Sequence, residues 1–91
     1  MEQGVHVFFS GVVQGVGFRF TTRMLASRYK IKGWVRNTHD GKVEVWAQGK
    51  KGDVYDFLGE LQQEFSRHIT DTQTEEAEPS EKYKDFQIKF T

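Results

Sequence analysis

The chain of 91 residues has no cysteine, one proline and no long apolar run. Without cysteine it can form no disulfide, no thiolate nucleophile and no cysteine-ligated zinc site, which fits a protein of the cytoplasm. No apolar run approaches the ~18 residues of a membrane span, and the opening MEQGVHV lacks both the basic and the apolar region of a signal peptide. We therefore expect an unprocessed cytoplasmic protein that does not associate with membranes.

The chain also lacks an excess of charge of either sign, because 13 Lys and Arg residues balance 13 Asp and Glu residues. A neutral chain creates no overall field that would attract a nucleic acid or an anionic membrane. The three histidines, His6, His39 and His68, are scattered and have no spacing of a metal site. We expect neither a metal nor a nucleic-acid partner, and any anion has to be bound locally.

What the chain does have is aromatic residues, which make up 14% of it. A chain of this length hides roughly 60 to 65% of its unfolded surface, so residues 1–91 are expected to form one domain whose aromatics supply much of the core. The expected core comprises Val5, Val7, Phe9, Met24, Leu25, Val35, Val43, Val45, Phe57, Leu58, Leu61 and Phe65.

Hydrophobic periodicity predicts the order of helices and strands. A period of two predicts strands over 5–10, 33–37, 42–49 and 86–90, and the pair Asp40-Gly41 favours a hairpin between the two middle strands. Helical spacing predicts helices over 20–31, with Phe20 and Met24 facing inward, and over 53–65. Gly59 inside the second helix suggests a close contact, and the Thr-rich segment after Ile69 predicts an extra polar edge strand followed by a loop.

This order is β-α-β-β-α-β with one extra strand, which is typical of ferredoxin-like α/β plaits with an antiparallel sheet and both helices on one face. The first two strands are joined by a helical crossover and run parallel, with the third strand inserted between them. Their C-terminal ends lie at the same edge of the sheet. The loop after the first strand and Asn37 at the end of the second are therefore expected to meet there.

That loop is GVVQGVGFR, residues 11–19, with three glycines in seven residues. A turn-rich loop between a strand and a helix can curl unpaired backbone N–H groups around an anion, and glycines remove the Cβ atoms that would obstruct such a curl. Arg19 follows, and its planar guanidinium can hold two phosphate oxygens. The loop matches neither a Walker A motif nor GxGxxG, and glycine-rich turns often serve packing alone. The pattern favours a phosphate cradle.

The segments GVVQGVGFR (11–19) and GWVRNTHDGKVEVWAQG (33–49) resemble the two signature segments of the acylphosphatase family, and the resemblance covers the whole chain in length and element order. It implies hydrolysis of the carboxyl-phosphate bond of acyl phosphates to a carboxylate and inorganic phosphate, without a metal or an organic cofactor. We also expect the protein to be a monomer. The small-molecule acyl phosphate is then the only partner expected.

The resemblance also implies roles for individual residues. Arg19 matches the phosphate-binding arginine of the family, and Asn37 matches the asparagine that orients the attacking water. The phosphate-binding amides match the backbone of the loop residues Gln14, Gly15, Val16, Gly17 and Phe18. An amide such as that of Asn37 cannot accept a proton near neutral pH, so we hypothesise that the phosphate of the substrate takes the proton of the water.

Two other functions are compatible with the predicted fold. Trp34, Trp46 and Phe8 could share the sheet face away from the helices and stack RNA bases, although the chain has no net charge and no RNP1-like segment. The domain could also be an idle interaction module, like the related domain of long, cysteine-containing carbamoyl-transfer proteins of hydrogenase maturation. An idle copy has no need of Arg19 or Asn37.

Overall fold

The computed structural model describes residues 1–90, which form two helices and five strands. The elements in chain order are β1 (Glu2–Gly11), α1 (Phe18–Tyr29), β2 (Lys32–Asn37), β3 (Val43–Lys50), α2 (Lys51–Glu64), β4 (Ile69–Ala77) and β5 (Phe86–Lys89). The predicted elements are all present, although most of their ends differ from the predicted ones by one or more residues. Neither helix within residues 1–90 is long and apolar enough to cross a membrane.

The strands form one sheet in the order β4-β1-β3-β2-β5. β3 is antiparallel to both β1 and β2, with Val45 opposite Val7 on one side and Val35 on the other. β1 and β2 therefore run parallel on either side of β3, which confirms the predicted ferredoxin-like plait. The polar strand β4 pairs with β1 and takes the fourth position of the plait, while β5 is added beside β2 as a parallel strand.

Both helices cover one face of the sheet, and the core lies between them. Every residue of the expected core is buried except Met24, which is 54% exposed. Six further buried apolar residues complete this core: Val13, Phe18, Ala26, Ile31, Ala47 and Val54.

The expected inward orientation of Phe20 and Met24 is wrong, since Phe20 is 69% exposed as well. The buried side chains of α1 are Phe18, Thr22, Leu25 and Ala26. At about 100° per residue, Phe20 and Met24 lie on the side of the helix opposite this stripe. Helix α1 therefore has two apolar stripes, and the one that packs against the core contains Thr22 rather than Phe20 and Met24. The hydroxyl of Thr22 donates to the Phe18 carbonyl at 2.7 Å.

The opposite face of the sheet carries a polar cluster among aromatic rings. Glu44 accepts hydrogen bonds of 2.6 Å from both His6 and Arg36 and is almost fully buried. Burial raises the pKa of Glu44, but the hydrogen bonds and charges of His6 and Arg36 outweigh it, so the pKa lies below its usual value. The His6 ring also lies 4.9 Å from that of Phe8 and 5.9 Å from that of Trp46. The sheet face away from the helices thus carries aromatic rings, as predicted, and the carboxylate of Glu44 among them is already paired with His6 and Arg36.

Candidate active site

The β1–α1 loop is anchored to the core at both of its ends. Val13 is fully buried, and Phe18, the first residue of α1, is only 2% exposed. The Phe18 ring stacks on Phe65 with centroids 4.4 Å apart and lies 5.1 Å from Phe9. Because these side chains are held by the core, the backbone between them has a fixed starting point and a fixed end.

The side chain of Gln14 ties the middle of the loop to the neighbouring hairpin. Its Nε2 atom donates to the carbonyl oxygens of Thr38 at 2.8 Å and Lys42 at 2.9 Å. These residues close the turn that directly follows Asn37. Sequence reasoning assigned only a backbone role to Gln14, and a single glutamine in a loop gives no signal of this contact. The tie holds the glycine-rich loop against the end of β2.

Gly15 and Gly17 are required by backbone conformation rather than by space. Their φ angles are 77° and 80°, in the left-handed region, yet a Cβ atom at either position would meet nothing within 4 Å. Gly11 differs, because its Cβ would collide with the His68 carbonyl, which also accepts the N–H of Val12 at 2.9 Å. Gly11 therefore allows close packing against the backbone of His68, while Gly15 and Gly17 allow the chain to turn.

This turn leaves the start of α1 with free donors. Gly17 is the N-cap, no side chain caps the helix, and its first turn contains no acidic residue. The first backbone bond into the helix runs from Thr21 N–H to the Gly17 carbonyl at 3.1 Å, and the amides of 14–18 make no hydrogen bond of good geometry within residues 1–90. Unpaired amides and the positive end of the helix dipole favour an anion at this position.

Arg19 lies at the same helix start and is half-buried. Its guanidinium carbon lies 4.9 Å from the centre of the Phe90 ring, and Nη1 lies 3.5 Å from the Lys89 carbonyl oxygen. No carboxylate side chain of residues 1–90 pairs with it. The ring and the carbonyl restrict the guanidinium without neutralising its charge.

Asn37 is the last residue of β2 and brings a polar side chain to the same edge. Its Oδ1 atom is buried and accepts no hydrogen bond from the described residues. A buried oxygen without a partner costs about 1 to 3 kcal/mol, so this atom is poised to accept a hydrogen bond from a bound group.

Loop, arginine and asparagine line one cavity of about 170 Å³. Its lining residues are Val13, Gly15, Gly17, Phe18, Arg19, Phe20 and Asn37. The volume equals that of roughly five or six waters, at ~30 Å³ each, which is room for a small anion and a water. Arg23 lines a different surface depression and does not contribute to this cavity.

Within the described part of the chain, neither a carboxylate nor an imidazole lines the cavity. The site therefore combines positive charge and hydrogen-bond donors with one free side-chain oxygen, and it holds no obvious general base or nucleophile. Such a set can bind a tetrahedral anion and stabilise charge on it, and it suits a substrate that is already activated.

Comparisons with known proteins agree with this geometry. The family model of acylphosphatase matches residues 5–88. The chain is 42% identical to an acylphosphatase of Bacillus pumilus over 86 residues, which is 92% of this chain and 94% of the relative. The crystal structure of acylphosphatase from Bacillus subtilis superposes with a TM-score of 0.85 at 31% identity, covering 97% of this chain and 98% of the other.

A second solved structure, an acylphosphatase from Coxiella burnetii, gives a TM-score of 0.83 at 31% identity and covers 97% of this chain and 93% of the other. The chain belongs to the acylphosphatase family, whose enzymes hydrolyse acyl phosphates. The resemblance carried by the two glycine-rich segments is confirmed.

Proposed function

We propose that the cavity between the β1–α1 loop and the end of β2 is where this enzyme hydrolyses acyl phosphates. The phosphate group would lie among the backbone N–H groups of residues 14–18, with the guanidinium of Arg19 beside it. The observation that carries this proposal is the combination of unpaired amides and an unneutralised arginine at one helix start.

Charge is the main contribution of the protein to this reaction. Phosphoryl transfer spreads negative charge over the equatorial oxygens, where metal ions neutralise it in many other enzymes. Here the guanidinium of Arg19 can donate to two of these oxygens, and the loop amides can donate to the third. Phe18 and Gln14 hold the loop amides, and Phe90 restricts the guanidinium, so the donors need little reorganisation during the reaction.

Asn37 holds the attacking water in this proposal. Its buried Oδ1 atom accepts no hydrogen bond from the described residues, so a water that donates to it removes the cost of burying that oxygen. The water oxygen then bonds to phosphorus while the bond from phosphorus to the acyl oxygen breaks. The carboxylate leaves with the bonding electron pair, and a phosphate oxygen of the substrate takes the proton of the water.

No covalent intermediate is needed, because an acyl phosphate is a mixed anhydride with a good leaving group. The enzyme has only to bring the water and the phosphorus together in line and to stabilise the developing charge. Neither step calls for a cofactor, since arginine and backbone amides provide the positive charge.

The test is steady-state hydrolysis of benzoyl phosphate in excess chelator by the wild type, Arg19→Ala and Arg23→Ala. We expect chelator-resistant turnover that inorganic phosphate inhibits competitively. Arg19→Ala should lower kcat/KM by at least ~1000-fold, as for other arginines that stabilise phosphoryl transfer. Arg23→Ala, on the same helix but outside the cavity, should stay within about twofold.

Absence of turnover from folded wild-type protein would refute the catalytic proposal. Phosphate binding without turnover would then favour the idle interaction module. Equal losses in the two arginine variants would instead refute the assignment of Arg19.

We also propose that the enzyme acts as a monomer and a single domain in the cytoplasm. Arg19, Asn37 and the glycine-rich loop surround a single cavity, so one chain carries every group that the proposed reaction uses. A cysteine-free chain, in turn, needs no oxidising compartment to fold. Sedimentation equilibrium at working concentration checks the oligomeric state, and a dimer mass would refute the monomer.

A further inference from the structure

Exposed apolar side chains are concentrated around the proposed site. Six large hydrophobic residues are exposed within residues 1–90: Met1, Val12, Phe20, Met24, Tyr55 and Phe90. Two of them belong to α1 just beyond Arg19, and Phe90 packs on Arg19 itself. We call Phe20, Met24 and Phe90 the apolar rim.

Phe20 connects this rim to the cavity. It follows Arg19 directly, and it lines the cavity together with Arg19 and Asn37 while remaining 69% exposed. Met24 lies one helical turn further along, and side chains four residues apart are neighbours on a helix surface. An apolar strip thus leads from the cavity outward along α1.

The fold itself gives little reason for this strip. Phe20 and Met24 point away from the core stripe of α1, and polar residues at these positions would form the same helix. Phe90 is 77% exposed, and its ring contacts Arg19 from the end of the chain that follows β5. Contiguous apolar surface beside a cavity is typical of a binding site for an apolar group.

We propose that the apolar rim binds the acyl group of the substrate, so that the enzyme prefers acyl phosphates with aromatic or bulky aliphatic acyl groups. This inference rests on the proposed function. With the phosphate in the cavity, the acyl group has to extend out through the mouth of the cavity, where it can contact Phe20 and then Met24. A small acyl group such as acetyl is too short to reach Met24, and a charged one gains nothing from apolar contact.

The test compares kcat/KM for benzoyl, acetyl and succinyl phosphate as an aromatic, a small and an anionic substrate. The enzymes compared are the wild type, Phe20→Ser and Met24→Ser. We expect the wild type to prefer benzoyl phosphate through a lower KM. The benzoyl-to-acetyl ratio should fall about fivefold to tenfold in Phe20→Ser and less in Met24→Ser, in line with the loss of a few apolar groups in a binding site.

Two further variants separate a binding role from a structural one. Phe20→Leu keeps apolar contact and should retain most of the preference. Tyr55→Ser removes an exposed aromatic ring from α2, away from the cavity, and should leave the ratio and both activities unchanged. A fall in the ratio for Tyr55→Ser would show that the effect is general and would refute the inference.

The outcomes distinguish this inference from the proposed function. Lack of turnover on every substrate refutes the proposed function itself. Turnover without preference for benzoyl phosphate, a preference for succinyl phosphate, or equal losses on all three substrates in Phe20→Ser would refute the rim alone. An unchanged benzoyl-to-acetyl ratio in Phe20→Ser would also refute the rim. If Phe20→Ser in addition abolished a dimer formed by the wild type, the strip would be a contact between copies.

Discussion

The two helices of this plait begin in different ways. α2 follows β3 directly, its N-cap Lys50 has an extended backbone, and Asp53 lies in its first turn. α1 begins after a left-handed Gly17 and has no acid in its first turn, while neither helix has a side-chain cap. In α2 the chain supplies its own negative charge to the positive end of the helix dipole, whereas the first turn of α1 supplies none.

The same contrast holds for two polar side chains of the hairpin. Glu44 in β3 receives hydrogen bonds from His6 and Arg36, while the buried Oδ1 of Asn37 at the end of β2 receives none. Polar groups that find partners within the chain are expected to contribute to stability. Those that find none, at the start of α1 and the end of β2, are expected to contribute to the reaction.

After Arg19→Ala, the largest effect should come from Asn37→Ala, which removes an unpartnered polar group. We expect kcat to fall by about 100-fold to 1000-fold, because one hydrogen-bonding group that acts on the transition state is lost. Competitive inhibition by phosphate should change by less than about threefold, since in the proposed mechanism the asparagine holds water rather than phosphate. Steady-state kinetics with phosphate as inhibitor measures both values, and unchanged turnover would contradict the water-holding role.

Glu44→Gln tests whether a polar group that has partners within the chain contributes to stability. We expect the free energy of unfolding at pH 7 to fall by about 2 kcal/mol, because two hydrogen bonds to a buried charge are weakened. Since the folded-state pKa of Glu44 lies below its unfolded value, its contribution is present above about pH 4.3 and is lost as the pH falls through the folded-state pKa.

The difference between wild type and Glu44→Gln should therefore shrink in acid. Urea unfolding at a series of pH values measures this, with hydrolysis at pH 7 as a control that should stay nearly constant. A difference that is constant down to pH 3 would show that the charge of Glu44 contributes nothing.

Replacing one glycine in the loop and one in a helix interior compares the effect of alanine on stability at the two places. Gly17→Ala should destabilise the protein by about 1 to 2 kcal/mol, because alanine is strained at a φ of 80°. Gly59→Ala in α2 should stabilise it by up to about 1 kcal/mol, since alanine is the better helix former. A Cβ at Gly59 meets nothing within 4 Å, so the close contact suggested by the sequence is wrong. Thermal unfolding of both variants provides the check, and shifts of the same sign would contradict it.

Asp53→Asn should have the smallest effect. Removing the negative charge from the first turn of α2 should cost about 0.3 to 1 kcal/mol of stability, which salt should diminish. Turnover should be unchanged, because α2 takes no part in the proposed site. A clear loss of activity in this variant would mean that the two helix starts do not differ in the way described.

Most of the fold could be predicted from the sequence, because the hydrophobic residues of most helices and strands recur with a clear period. Val5 and Val7 alternate along β1, Phe57 and Leu61 recur at helical spacing in α2, and the crossover from β1 to β2 determines which strand ends lie together. In α1 the buried Leu25 was predicted correctly, but Phe20 and Met24 were wrongly placed inward, because Thr22 occupies a buried position that polarity alone assigns to the surface.

The candidate site was predictable in part. The glycine content of residues 11–19 indicated a candidate loop, and the strand topology alone predicted that Asn37 lies at the same edge of the sheet. The contact from Gln14 to the hairpin and the ring of Phe90 beneath Arg19 were not predictable, since both join segments far apart in sequence and periodicity does not reveal which distant side chains meet.

The most direct test is an NMR titration of backbone amides with inorganic phosphate. The account predicts saturable shifts at Gly15, Val16, Gly17 and Phe18, with those of Gly52 and Asp53 at the start of α2 unchanged, and loss of the shifts in Arg19→Ala. Equal shifts at both helix starts, or none in residues 14–18 at saturating phosphate, would contradict the claim that α1 alone is kept free for an anion.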